Sequence, residues 1–161
     1  MLQAVTSPNK SYLMRCAMKI NPKIHHVAIQ TRDFEKALYF YTKVLGFKIV
    51  KEPFSYKGLR TLTWIDMGGM MIELFSVKKG REGTDFDDTR VGSVHIAFEV
   101  ENLFAVFDYL RKHNIRILKE PFKPPTSDPL QPLVGFIAGP DGEEIEFREF
   151  IVIPFLQEEI K

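Results

Sequence analysis

Four residues have the types and the spacing to do metal chemistry. His26 opens the tetrapeptide His26-Val27-Ala28-Ile29, and His95 opens His95-Ile96-Ala97-Phe98, 69 positions later. Glu73 lies in Ile72-Glu73-Leu74 and Glu146 in Ile145-Glu146-Phe147, 73 positions apart. Two neutral imidazoles and two carboxylates suit one divalent transition metal ion (Zn, Ni, Co, Mn or Fe), and the carboxylates offset its charge. A cation held this way could take two vicinal oxygens of a small substrate and polarise a carbonyl. That acidifies the neighbouring C–H, and a carboxylate beside it can move the proton. Positive charge then stabilises the enediolate as it forms. Glu146 is the first candidate for the base and Glu73 the second.

The elements that must position these residues come in duplicate. A third matched pair, Lys51-Glu52-Pro53-Phe54 and Lys119-Glu120-Pro121-Phe122, keeps nearly the same offset. Each copy reads strand, helix, then three strands. In the first copy, strands are expected at 24–29, 47–51 (ended by Pro53), 60–66 and 70–76. Asp33 caps a helix with Phe34, Ala37, Leu38, Tyr41 and Leu45 on one face, and Gly46 supplies its left-handed end. In the second copy, strands are expected at 94–98, 115–119, 134–138 and 144–150. Glu101 or Asn102 caps a helix bearing Leu103, Val106, Phe107 and Leu110, and Asn114 takes the place of Gly46.

Side chains alternate across a strand. Val27, Ile29, Ile96, Phe98 and Val100 therefore face the helices, leaving His26, Gln30, His95 and Glu99 on the open face. Glu73 shares that face with Phe75, and Glu146 with Arg148. The expected fold is α+β: two tandem βαβββ modules, 23–77 and 92–150, joined by a linker at 78–91. If the modules pair edge to edge, their curved mixed sheet makes a cup around His26, Glu73, His95 and Glu146. Gln30, Trp64, Phe75, Glu99 and Arg148 become candidate substrate contacts. Trp64 and Phe75 would be apolar walls, and Arg148 would pair with Glu99 or bind a substrate carboxylate. His25 and His113 read as structural.

Composition narrows the function classes. The chain has 161 residues, 45% hydrophobic and 27% charged, which is ordinary for a globular protein. A net charge of +1 gives no drive toward a phosphate backbone, so nucleic acid is not an expected partner. Cys16 is the only cysteine, which excludes an internal disulfide and a Cys-x-x-Cys metal knuckle. No apolar run suggests a membrane span. The chain reads as cytoplasmic. Residues 1–22 read as an N-terminal arm, with Met18 as the expected natural start. The tail at 151–161 is apolar enough over 151–156 to dock on the body or on a second subunit.

Taken together, the repeated modules, Phe40-Tyr41-Thr42-Lys43-Val44-Leu45-Gly46-Phe47 and Asp141-Gly142-Glu143-Glu144-Ile145-Glu146-Phe147 resemble the vicinal oxygen chelate superfamily. The resemblance covers residues 23–150 and implies the glyoxalase/dihydroxybiphenyl dioxygenase-like fold. The His, Glu, His, Glu set looks most like glyoxalase I, the lactoylglutathione lyase. That likeness implies isomerisation of a metal-bound hemithioacetal by a ligand glutamate. Acyl-CoA epimerases share this proton-shuttle logic, extradiol dioxygenases use two His and one Glu, and bleomycin-resistance proteins bind a drug without chemistry. A homodimer is also expected, with each site built either within one chain or from modules of both. Glyoxalase I usually has Arg where this chain has Gln30 and Asn where it has Val77. Those groups hold glutathione, so the resemblance implies the reaction type more than that substrate.

Overall fold

The computed structural model describes residues 22–84, 91–125 and 131–149. Almost all of the N-terminal arm with its Met18 start, linker residues 85–90, proline-loop residues 126–130 and the tail lie outside them.

The order of elements is β1 (His26–Thr31), α1 (Phe34–Tyr39), β2 (Lys48–Tyr56), β3 (Arg60–Asp66), β4 (Met71–Ser76), β5 (His95–Val100), α2 (Leu103–Lys112), β6 (Ile117–Phe122), β7 (Val134–Ala138) and β8 (Glu144–Glu149). These build two four-stranded mixed sheets, ordered β1-β4-β3-β2 and β5-β8-β7-β6. In each sheet the first strand runs parallel to the fourth, and the other pairings are antiparallel. The fold is α+β, two βαβββ modules.

Local chemistry explains the helix ends. The Asp33 carboxylate accepts from the Lys36 N–H, and Asn102, not Glu101, caps α2 by accepting from Ala105 N–H. Asn114 adopts φ 57° just past α2, the left-handed conformation that lets the chain turn off a helix. One expectation needs correction. After Tyr39 the helix widens into a π-turn over Phe40–Val44. The wider turn rotates the buried face, so Phe40 and Val44 enter the core while Leu38 and Leu45 stay half-buried.

Two strand ends also differ from expectation. β2 runs through Pro53 and β6 runs through Pro121. Both are outer edge strands, and both prolines fall inside register shifts, between Lys51 and Phe54 and between Lys119 and Phe122. A residue without an N–H is tolerated where the ladder does not need that donor.

The helices of both modules share one core. Ile65, Ile72, Leu74, Leu103, Phe107 and Ile137 are fully buried within it. Gly135 is required by a close approach, because a Cβ there would run into the tip of the buried Phe107 ring. Between the modules, Tyr109 donates to the Val44 carbonyl at 3.0 Å, and the Phe47 and Phe98 rings lie 5.3 Å apart. Lys36 donates to the Pro140 carbonyl at 2.8 Å, and Arg32 pairs with Asp141 at 3.2 Å. Tyr41 lies beside Glu143, and burial pushes the pKa values of both side chains up. Glu143 accepts from the Asp141 N–H at 2.9 Å, with its carboxylate packed against Gly139.

Candidate metal centre

Each sheet has one face covered by its helix and one face left open. His26 is on the edge strand β1 and Glu73 on the adjoining β4, where Ala28 is in register with Glu73. Their side chains meet on the open face, with Nε2 to Oε2 at 3.6 Å. The second module repeats this arrangement. Ala97 of β5 is in register with Glu146 of β8, and His95 Nε2 lies 3.0 Å from Glu146 Oε2. All four side chains are partly exposed, between 16% and 36%.

These separations pass a simple test. Nitrogen and oxygen donors sit about 2.0–2.2 Å from a zinc-sized cation, so two donors on one ion lie roughly 3.0–3.5 Å apart. One pair matches this range and the other exceeds it by about 0.1 Å. Each pair thus offers one imidazole nitrogen and one carboxylate oxygen to an ion, half of a four-donor set. The chain does not, however, gather all four donors into one cup. Among the described residues no group of three or more His, Cys, Asp or Glu side chains could hold a metal ion. The two sheets are separate, and the space between β1 and β5 is a cleft of about 400 Å³ lined partly by helix-facing Val27 and Ile29 and by Tyr41 of the helical turn.

The surroundings of the two pairs also correspond. Trp64 is in register with Glu73 and packs edge-on against His26, ring centres 5.0 Å apart. Phe136 is in register with Glu146 and packs the same way against His95 at 5.8 Å. An aromatic wall beside the imidazole is therefore common to both modules. Farther along the open faces the modules diverge. Phe75 carries the Arg60 guanidinium 4.4 Å above its ring, and Arg60 donates to Gln30 at 3.3 Å. In the second module Arg148 pairs with Glu99 at 3.8 Å.

Sequence reasoning missed three contributors, among them Phe136 beside His95. His25 reads as structural, yet its Nδ1 lies 2.9 Å from Nδ1 of His26. One ring must donate to the other, and the contact orients the His26 ring with Nε2 toward Glu73. Arg60 carried no signal by itself. The alternation Arg60, Leu62, Trp64 could have placed it on the open face, but its contact with Gln30 depends on strand order.

Comparison with known proteins agrees with this fold. Residues 23–147 match the Glyoxalase/Bleomycin resistance protein/Dioxygenase superfamily. The chain belongs to this superfamily. A probable lactoylglutathione lyase of Synechocystis sp. is 28% identical over 123 residues, 75% of this chain and 90% of that protein. The crystal structure of SMU.1112c superposes with a TM-score of 0.70 at 26% identity, covering 81% of this chain and 100% of that one. A glyoxalase family protein from Enterococcus faecalis shares the fold with a TM-score of 0.68 at 23% identity, covering 79% of this chain and 97% of its own. The vicinal oxygen chelate, glyoxalase I-like reading of the sequence stands. Among the described residues no helix is long and apolar enough to cross a membrane.

Proposed function

We propose that this superfamily member is a metal-dependent isomerase or lyase of the glyoxalase type, acting on a small oxo or hydroxy compound or a thiohemiacetal. The observation that carries this reading is the pair of equivalent His–Glu half-sites, each at donor spacing on an open sheet face. A homodimer completes the centre, His26 and Glu73 of one copy facing His95 and Glu146 of the second. When bound there, a divalent cation supplies Lewis-acid polarisation of a substrate carbonyl.

The chain's own residues do the rest. A carboxylate oxygen of Glu146 takes the proton from the carbon beside the carbonyl and returns it to the neighbouring carbon, or to the other face. Glu73 stands across the centre as the second acceptor. His25 keeps the His26 ring turned toward the centre. Trp64 and Phe136 flank the imidazoles and shield that end of the site from water.

Calorimetric titration of the full chain with Ni²⁺ tests the reading. One ion per chain is expected, lost in both His26→Ala and His95→Ala. No binding by the wild type refutes it. Turnover of methylglyoxal with glutathione would identify the lyase, and proton exchange on an acyl-CoA the epimerase. Oxygen uptake with a catechol would replace both by a ring-cleaving dioxygenase.

A further inference from the structure

The two halves of the open face match in donors but not in charge, and the difference singles out one corner. Gln30 is in register with Phe75, two residues along the strands from Ala28 and Glu73. Glu99 and Arg148 occupy the equivalent register positions of the second module, where the acid closes on the guanidinium. In the first module the cation comes instead from β3. Arg60 sits over Phe75 and donates to a neutral amide, Gln30 Oε1. Tyr56 packs edge-on against the same Phe75 ring at 5.9 Å. Among the described residues no carboxylate pairs with Arg60, and the Gln30 amide N–H₂ has no acceptor. Exposed Lys57, over the Tyr56 ring, adds positive charge at this end.

We propose that Arg60 and Gln30 form a receptor for a substrate carboxylate, so that the protein acts on small acids whose carboxylate lies away from the reacting oxygens. Among the described residues only Nη1 of the guanidinium donors has a partner, Gln30, and a planar fork with several donors fits the two oxygens of a carboxylate. The Gln30 amide supplies a further donor beside it. One cation and one neutral amide balance one negative charge, as a carboxylate brings. Two strand residues separate this corner from Glu73, about 7 Å along the sheet. The assignment rests on the proposed function for placing the reacting end of the substrate at His26 and Glu73. The matched corner, Arg148 with Glu99, is already neutralised and takes no anion.

Glutarate is the probe. The full chain, with and without Ni²⁺, is titrated while the arginine Nε–H signals are followed by nitrogen-15 correlation spectroscopy. The Arg60 signal shifts saturably and the Arg148 signal stays. Arg60→Met weakens glutarate binding about tenfold or more, Arg60→Lys recovers part of it, and Arg148→Met changes it less than about twofold. Equal shifts of both arginines, or unchanged affinity in Arg60→Met, overturn the proposal. The Ni²⁺ titration of the same samples keeps the two readings apart. A glutarate response at Arg60 without Ni²⁺ binding leaves this corner standing and removes the metal chemistry. Ni²⁺ binding without a response at Arg60 does the reverse.

Discussion

Separate half-sites on one chain make a quantitative prediction about mixed assemblies. A chain carrying His26→Ala has lost a donor from its first pair only, and a chain carrying His95→Ala from its second pair only. Each variant alone assembles centres that all lack one imidazole. When the two variants are unfolded together and refolded at equal concentration, random pairing makes half of the dimers mixed. In every mixed dimer one centre combines two damaged pairs and the other combines two intact ones. The mixture should therefore recover about a quarter of the wild-type Ni²⁺ capacity and turnover. A second mixture, His26→Ala with Glu73→Ala, is the control. Both lesions fall in the same pair, every centre lacks a donor, and nothing is recovered. Calorimetry with Ni²⁺ reads both mixtures, and an affinity tag on one variant, which carries the untagged variant with it on capture, confirms that mixing occurred. No recovery in the first mixture, or equal recovery in both, would refute a centre shared between copies.

Three further outcomes are expected. Gly135→Ala drives a methyl into the buried Phe107 ring and should cost about 1–3 kcal/mol in a denaturant melt, with Phe107→Leu relieving much of it in the double variant; additive losses would contradict the contact. Burial raises the Glu143 pKa above its ordinary 4.5, so the folded state holds this proton more tightly than the unfolded chain does, and the contribution of Glu143 to stability falls as pH rises from about 4.5 through the folded value. Glu143→Gln keeps one acceptor oxygen for the Asp141 N–H and removes the ionisable group, and melts across that window should lose this component of the slope; an unchanged slope would assign the effect elsewhere. His25→Phe keeps an aromatic ring near Trp64 but deletes the nitrogen that meets His26, and Ni²⁺ affinity should weaken about tenfold; wild-type affinity would make His25 a bystander.

Much of this architecture was legible because the chain states it twice. The anchors His26 and His95, and Glu73 and Glu146, mark equivalent strands. Asp33, Asn102 and Asn114 act through local hydrogen bonds and backbone preference, so their roles follow from neighbours a few residues away. The departures are non-local. Pro53 breaks a strand by any local rule, and only the sheet order reveals that its strand is an edge. The π-turn at Phe40–Val44 replaces Leu38 and Leu45 by Phe40 and Val44 in the core, a rotation that hydrophobic residues on both sides allowed equally well. Arg60 meets Gln30 thirty positions away because β4 sits between their strands. Pairing of His with Glu was readable, whereas the separation of the two pairs within a single chain depends on how whole sheets are arranged.

The placement of Pro53 and Pro121 also gives the molecule a polarity for association. Each sheet has two borders. The outer ones, β2 and β6, are interrupted by an imino acid and by irregular pairing, which discourages an incoming strand from zipping on. The inner ones, β1 and β5, contain no such interruption. Growth by strand addition is thereby disfavoured at the flanks relative to the borders where the two repeats adjoin. A chain built this way tends to close on a finite assembly rather than extend into a fibre.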